Sequence, residues 1–248
     1  MAVMERIVFV HGSVMGGRPT WNAQRVLDDR FELDIWERPG FAPNPPVERV
    51  DFDVDAVALR ERLLPGSHVV GHSAGGVVAL LAAAHAPELI GSLTVIEPPA
   101  MDVARGVPAV DRFVADGAEW WAHGPRDDPE AFLRGFLRFV GSDYDPPSPL
   151  PPALEQGARA LIGERFQWEA RIPLAALARA PFKKLVVSGG HSAAFDAVCD
   201  VLERQLNAER LILAGYGHTA QRHPEFNDRL VSFVDAAAAV RPIRPTCA

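Results

Sequence analysis

Lysine is scarce in this chain, and long apolar runs are missing. The 248 residues include two lysines, Lys183 and Lys184, and the arginines are scattered, so no basic face is indicated that would bind nucleic-acid phosphates. No run approaches the ~18 apolar residues of a membrane span. The N-terminal region carries Glu5 and Arg6 and has no apolar signal segment. We therefore expect a soluble, cytoplasmic protein without nucleic-acid or membrane partners.

Cysteine is equally rare, and no metal-binding spacing is visible. Cys199 falls in a predicted helix and Cys247 lies next to the C-terminus, which favours two free thiols over a disulfide. Histidines outside the motifs discussed below are far apart, at His85, His123, His191 and His223. Zinc sites usually contain closely spaced pairs of His or Cys. We expect neither a metal nor another cofactor.

Short β-branched segments alternate with longer segments of helical periodicity. We predict strands at residues 5–10, 31–36, 67–71, 92–96, 183–188 and 209–214, and helices that include 54–64, 74–85, 194–206 and 223–239. This alternation is typical of an α/β fold with a doubly wound, mostly parallel sheet and helices on both faces. With 48% hydrophobic residues, the chain can form one sizeable core or one core plus an inserted cap.

The most informative segment is S-H-V-V-G-H-S-A-G-G at residues 67–76. A serine on a tight strand-to-helix turn adopts positive φ, and its neighbours two positions away must be nearly free of side chains. Gly71 and Gly75 meet this demand around Ser73. The segment predicts a nucleophile elbow, with a helix N-terminus directed at the place where an oxyanion forms. A glycine-rich turn around a buried serine is the structural alternative.

Further motifs follow in order along the chain. They are V-H-G-S at 10–13 followed by Trp21, E-R-P-G-F at 37–41, G-H-S-A-G at 71–75, V-I-E-P-P at 95–99 and G-Y-G-H at 215–218. With these motifs the chain resembles the α/β-hydrolase family, in its branch with a serine nucleophile. The resemblance covers roughly residues 3–99 and 182–239. It implies a core formed by residues 1–98 and 182–248 and a helical cap at 99–181, inserted after the strand that ends at Glu97.

The resemblance also implies roles for individual residues. Ser73 would be the nucleophile and His218 its base, while the backbone N–H groups of Ser13 and Ala74 would bind the oxyanion. His218 could instead be a loop histidine that caps the following helix. For His11, His72 and Arg38 we expect structural roles.

The acid of the triad departs from the common family pattern. That pattern has an aspartate in a G-x-x-D loop after the penultimate strand, and here the loop reads Gly189-Gly190-His191-Ser192. Two carboxylates remain in range. We favour Glu97, at the end of the strand that follows the elbow, over Asp196, which falls in the first turn of a predicted helix. Glu97 could also cap a helix of the insertion or pair with an arginine.

The insertion contains an aromatic set: Trp120, Trp121, Trp168, Phe132, Phe136 and Phe139. The three phenylalanines have helical spacing, which indicates a packing face. Because the insertion leaves the sheet at a strand's carboxyl end, we also expect its aromatic underside to form an apolar pocket over Ser73. The predicted activity is hydrolysis of a neutral, medium-sized ester or lactone. Cofactor-free lyase or C–C cleaving chemistry and a non-catalytic ligand-binding protein are the alternatives.

Overall fold

Six parallel strands form one sheet at the centre of the molecule. The computed structural model describes residues 4–239. Its strands are β1 Arg6–Val10, β2 Glu32–Trp36, β3 Ser67–His72, β4 Ile90–Ile96, β5 Lys183–Ser188 and β6 Glu209–Ile212. They are arranged in the order β2-β1-β3-β4-β5-β6. The chain changes direction across the sheet between β1 and β3, which is where ligands bind in open α/β sheets.

Helices cover both faces of the sheet. They are α1 Gly17–Thr20, α2 Phe52–Arg62, α3 Ala74–His85, α4 Pro108–His123, α5 Pro129–Phe139, α6 Pro152–Gly163, α7 Leu174–Arg179, α8 Ala193–Leu206 and α9 Phe226–Ala239. Short 3-10 turns occupy Asn22–Leu27, Pro87–Leu89, Met101–Ala104, Gln167–Glu169 and Gly217–Arg222. In residues 4–239, no helix is long and apolar enough to cross a membrane.

Local sequence explains several helix ends. The Asp51 side chain accepts a hydrogen bond from the N–H of Asp53 and so caps α2. Asp128 caps α5 in the same way, with Pro129 in the first helical position. The residue after α8, Asn207, has a left-handed φ of +51°, a conformation that asparagine tolerates better than most residues.

The core lies on both sides of the sheet because strand side chains alternate between its faces. In β1, Val8 and Val10 pack against one set of helices, and Ile7 and Phe9 against the other. The first face is covered by α2, α3, α7 and α8, and the second by α9 and the turn before β2. All ten of the residues from Ala74 to Ala83 in α3 are buried, which matches its composition of small and apolar side chains.

Four helices, α4 to α7, lie between β4 and β5 and interrupt the alternation. Helices α4, α5 and α6 share a separate apolar cluster that includes Trp121, Phe132, Leu133, Leu154 and Leu161. This is the region that sequence assigns to a cap. The boundaries 1–98, 99–181 and 182–248 stay a prediction.

The predicted fold class and all six predicted strands are confirmed. Helix α3 begins and ends where the sequence predicts, whereas α2 begins earlier, at Phe52, because Asp51 provides the cap. The last helix begins at Phe226 instead of residue 223, since Pro224 and Glu225 form a turn. Cys199 is buried and free, and burial raises the pKa of its thiol. Cys247 lies outside the described residues.

Candidate active site

Ser73 occupies a strained turn between β3 and α3. Its φ of +53° and ψ of −128° lie outside the regions usual for a residue with a side chain. A Cβ at Gly71 would lie 2.4 Å from the carbonyl oxygen of Gly75, and one at Gly75 would lie 2.4 Å from that of His11. Both glycines are therefore required by close backbone approach. The chain has the geometry of a nucleophile elbow at this point.

The Ser73 hydroxyl is hydrogen-bonded to His218. Their Oγ and Nε2 atoms are 2.9 Å apart, and the two side chains come from positions 145 residues apart in the chain. His218 lies in the 3-10 turn after β6, and its carbonyl oxygen accepts a hydrogen bond from the ring of His72 at 2.8 Å. This bond joins the loop of His218 to the end of β3. His72 thus has the structural contact expected of it.

Glu97 lies on the opposite side of the His218 ring from Ser73. Its Oε2 atom is 3.5 Å from Nδ1 of His218, and its side chain is 0% exposed. Its Oε1 atom accepts a hydrogen bond from the backbone N–H of Gly189 in the loop after β5. Glu97 has a φ of +49°, a strained value for a residue with a side chain. The structure thus brings Ser73, His218 and Glu97 into one row.

Asp196 is held elsewhere. Its carboxylate accepts a hydrogen bond from the Ser188 hydroxyl at 2.8 Å and lies 3.5 Å from the guanidinium of Arg210. Both partners belong to strands β5 and β6. The geometry therefore favours Glu97 over Asp196 as the carboxylate that contacts the histidine.

His191 is a neighbour of the site that the sequence interpretation missed. Its Nδ1 atom is 3.7 Å from Glu97 Oε2, so Glu97 faces two imidazole rings. Ligand atoms of Glu97, His191 and His218 lie within 4.8 Å of one another, a set able to hold a metal ion. The available signal was topological, because His191 follows β5 and Glu97 follows the adjacent β4.

The HG turn after β1 lies directly beside Ser73. A Cβ on Gly12 would be 2.8 Å from the Cβ of Ser73. Within residues 4–239, the N–H groups of Ser13 and Ala74 donate to no backbone or side-chain acceptor. Two free donors beside a serine hydroxyl are what an oxyanion hole requires. The next residue, Val14, has a φ of +80°, which is a strained value for a β-branched residue.

A buried charge cluster lies beneath this turn. The Arg38 side chain forms an ion pair with Asp55 at 2.8 Å and another with Glu164 at 3.3 Å, and all three side chains are at most 3% exposed. Arg38 also donates to the carbonyl oxygen of Gly12, and the Ser13 hydroxyl donates to Glu164. The structural role expected for Arg38 is thus a link between the HG turn and the end of α6. His11 joins the same cluster by accepting from the Arg38 N–H at 3.0 Å.

Burial changes the pKa values of Glu97 and His218. It raises the pKa of Glu97 to about 7, with the Gly189 hydrogen bond and nearby His191 opposing the shift. It lowers the pKa of His218 to about 3, and nearby His191 lowers it further. The His218 ring is consequently neutral near pH 7 and able to accept a proton.

A small cavity opens at Ser73 and His218. Its volume is about 50 Å³, roughly a third of the ~150 Å³ cavity that holds benzene in an engineered protein core. Its outer wall is formed by Phe136, Leu137, Val140 and Tyr144. Arg222 contributes a charged, solvent-exposed side chain at the edge. The pocket is therefore mainly apolar, and it has room for a short hydrocarbon chain of a ligand.

Most of the aromatic set packs within the insertion and does not reach the cavity. Trp121 makes edge-to-face contacts with Phe132 and Trp168, with ring centroids 5.5 and 5.8 Å apart, and Phe139 stacks on Phe113 at 4.3 Å. Of the six aromatic residues, Phe136 lines the cavity. Phe136 is thus the one member of the expected set that faces the cavity, where Tyr144 adds a second ring. The other five pack against each other and against neighbouring helices.

The sequence matches the model of the Alpha/beta hydrolase family over residues 7–231. The chain belongs to this family. The match also spans the middle of the chain between the V-I-E-P-P and G-Y-G-H motifs, where the sequence motifs alone indicate no resemblance.

Relatives and solved structures agree with the family. A pimeloyl-[acyl-carrier protein] methyl ester esterase from Methylococcus capsulatus is 31% identical over 117 residues, which are 43% of this chain and 44% of that protein. The chain thus matches less than half of this relative's length. MenH from S. aureus has a TM-score of 0.70 at 18% identity, with 96% of each chain covered. A thermophilic esterase from Thermogutta terrifontis has a TM-score of 0.64 at 17% identity, covering 96% of this chain and 92% of that one. These two likenesses show the fold.

Proposed function

We propose that this protein is a serine esterase that hydrolyses a neutral small-molecule ester or lactone through an acyl-enzyme on Ser73. The observation that carries the proposal is the 2.9 Å hydrogen bond between Ser73 Oγ and His218 Nε2 inside a nucleophile elbow. The similarity to an esterase of pimeloyl-[acyl-carrier protein] methyl ester supports ester chemistry. No metal or other cofactor is needed for this reaction.

Acylation follows from the geometry. Ser73 Oγ attacks the carbonyl carbon of the ester while His218 Nε2 takes the hydroxyl proton. The carbonyl oxygen becomes an oxyanion and accepts hydrogen bonds from the N–H groups of Ser13 and Ala74. The imidazolium then gives its proton to the leaving alcohol as the C–O bond breaks.

Deacylation repeats these steps with water. His218 removes a proton from a water molecule, which attacks the acyl carbon and releases the carboxylic acid and Ser73. Ionised Glu97 stabilises the imidazolium that forms in both halves, at 3.5 Å from its Nδ1 atom. A free serine hydroxyl is a weak nucleophile, so the neutral state of His218 is essential to both steps.

The cavity indicates the size of the acyl group. A volume of about 50 Å³ enclosed by Phe136, Leu137 and Val140 suits an uncharged acyl group of a few carbons. This is shorter than the medium-sized substrate expected from the sequence. The reason is that α5 lies close over Ser73.

Active-site labelling tests the proposal. A fluorophosphonate reacts covalently with serines that are activated by a base, so it should label the wild-type protein on Ser73. Ser73→Ala should remove the label and reduce hydrolysis of p-nitrophenyl acetate by several orders of magnitude. As the matched control, Ser142→Ala changes another serine that lines the cavity and should retain the label.

Two other outcomes would contradict the proposal. Absence of labelling in a folded wild-type protein would favour a ligand-binding protein on the same scaffold. Labelling without hydrolysis of any ester or lactone in a panel would favour the lyase or C–C cleaving alternative.

A further inference from the structure

Three buried ligand atoms converge behind the His218 ring. Glu97 Oε2 lies 3.5 Å from His218 Nδ1 and 3.7 Å from His191 Nδ1. Within residues 4–239, none of the three atoms has a hydrogen-bond partner, although each is shielded from solvent. Buried polar atoms are normally paired, and three unpaired atoms facing one point indicate a missing partner.

The orientation of His191 defines what that partner must be. Its Nε2 atom is 3.1 Å from the carbonyl oxygen of Val140, which can only accept, so Nε2 carries the ring proton. Nδ1 of the neutral ring then presents a lone pair to the carboxylate of Glu97. Two lone pairs that face each other require a proton or a metal cation between them. A shared proton would hold the two atoms about 3 Å apart or closer, so the observed 3.7 Å favours a larger cation. Histidines that bind metals typically donate their second ring N–H to a backbone carbonyl in this way.

The separations suit a small tetrahedral cation. Zinc binds nitrogen and carboxylate oxygen at about 2.0–2.2 Å, which places neighbouring tetrahedral ligands roughly 3.3–3.6 Å apart. The two distances from Glu97 are close to this range. The ligand atoms of all three residues lie within 4.8 Å of one another, so the two imidazole rings need only a small approach to bind one ion. A water molecule could take the fourth position. Two imidazoles with one carboxylate are a common zinc donor set, whereas Mg²⁺ and Ca²⁺ prefer oxygen ligands.

We propose that Glu97, His191 and His218 bind one Zn²⁺ ion and that zinc binding switches off hydrolysis. The ligands would be Oε2 of Glu97 and the two Nδ1 atoms. The sequence shows no such site by spacing, because its three ligands come from three separate loops. The inhibitory part of the proposal rests on the proposed esterase function, whereas the binding part does not.

Inhibition follows from the position of one proton. In the active state the neutral His218 ring carries its proton on Nδ1 and accepts from Ser73 at Nε2. Zinc on Nδ1 moves that proton to Nε2, so Nε2 donates to Ser73 Oγ and cannot remove its proton. Zinc also occupies the carboxylate that would stabilise an imidazolium. Access is from the side of His191, whose side chain is 16% exposed, while that of Glu97 is fully buried.

Calorimetry on the chelator-treated full chain tests the binding. Titration with zinc chloride should show one equivalent bound, with a dissociation constant at least tenfold higher in His191→Gln. His123→Gln is the matched control, since it removes an exposed histidine that faces Glu119 on α4. It should bind zinc as the wild type does, and magnesium chloride should give no comparable binding. No zinc binding, or equal binding in His191→Gln and wild type, would overturn the site.

Hydrolysis of p-nitrophenyl acetate tests the consequence. Zinc should inhibit the wild type at concentrations that match its dissociation constant. In His191→Gln the half-inhibitory concentration should rise at least tenfold when each rate is divided by that variant's own metal-free rate. Zinc that binds without reducing hydrolysis would refute the inhibitory role. If the protein hydrolyses no ester, calorimetry still decides the zinc site, while fluorophosphonate labelling decides the proposed function separately.

Discussion

Nδ1 of His218 lies 3.5 Å from Oε2 of Glu97, and this carboxyl group is fully buried. The pair joins the end of β4 to the turn after β6. Asp196 is instead engaged by Ser188 and Arg210 at 2.8 and 3.5 Å. The sequence offers both carboxylates as candidates for the acid, and the structure places them in separate environments. Substituting each carboxylate by its amide can therefore test which of the two acts on His218.

Glu97→Gln should reduce kcat by about two to four orders of magnitude, while Asp196→Asn should change it by less than about tenfold. The glutamine amide keeps the shape of the side chain but cannot stabilise the imidazolium, and it favours the wrong tautomer of His218. Steady-state kinetics with p-nitrophenyl acetate measure both effects. The opposite ranking would assign the acid to Asp196, and two unimpaired variants would indicate a Ser-His dyad.

The same carboxyl group should control the acidic side of the pH profile. Burial raises the pKa of Glu97 to about 7, so its stabilising charge is present above pH 7 and is lost as pH falls. His218, with its pKa lowered to about 3, stays neutral through this range. We expect kcat/KM to fall about tenfold per pH unit below 7. A profile that stays flat down to pH 5, with Asp196→Asn as control, would contradict this assignment.

Glu97 should also lower the stability of the folded protein at alkaline pH. A pKa raised from 4.5 to about 7 means that the native state holds the proton more tightly than the unfolded chain, so stability falls as pH rises between these values. The full penalty is roughly 3 kcal/mol above pH 7. Glu97→Gln should therefore increase the free energy of unfolding by about 1–3 kcal/mol at pH 8.

The gain should shrink towards zero at pH 5, where native Glu97 is protonated. Urea unfolding at both pH values measures the difference. An equal effect of the substitution at pH 5 and pH 8 would show that ionisation of Glu97 is not its cause.

Much of the fold could be predicted from the sequence because the signals are local. Short apolar runs place all six strands, and the glycines around Ser73 give the elbow and the start of α3. The contacts of Glu97 depend instead on the adjacency of β4, β5 and β6, whose residues are far apart in the chain. Because the G-x-x-D loop lacks its usual aspartate, local sequence pattern could not decide whether Glu97 or Asp196 is the acid that contacts His218.

Helical periodicity likewise identifies an apolar face without identifying what covers it. The spacing of Phe132, Phe136 and Phe139 is the same in a cap that lines a pocket and in one that packs on itself. In the structure one of the three reaches the cavity. The ion pairs of Arg38 with Asp55 and Glu164 likewise cannot be predicted from local sequence pattern. The pair with Glu164 forms because the end of α6 packs beside the HG turn.

This docking gives the Ser13 side chain a role. Its hydroxyl donates to buried Glu164, and its own N–H is one of the two oxyanion donors in the proposal. Ser13→Ala removes this hydrogen bond to Glu164 and should lower the free energy of unfolding by about 1–3 kcal/mol. It should also reduce kcat more than it changes KM, because the turn that carries the oxyanion donor is held less firmly. Ser13→Thr, which keeps the hydroxyl, should restore kcat. Ser142→Ala is the control, and equal effects of the two alanine variants would refute the role.

The cavity at Ser73 should select short acyl chains. Each methylene that fits should raise kcat/KM by roughly fourfold, from ~0.8 kcal/mol of burial, until the chain meets Phe136. A volume of about 50 Å³ indicates that this limit is reached within a few carbons, and longer chains should react much more slowly. A series of p-nitrophenyl esters from acetate to octanoate measures the profile.

Phe136→Ala should move the maximum of this profile towards longer chains, because it removes the ring that closes the cavity. Phe132→Ala is the matched control on the same helix, since Phe132 is 0% exposed in the insertion's own cluster and does not line the cavity. It should lower stability by about 3–5 kcal/mol yet leave the preferred chain length unchanged. If the maximum stays at the same chain length in Phe136→Ala, or shifts equally in both variants, α5 does not form the wall of the acyl site.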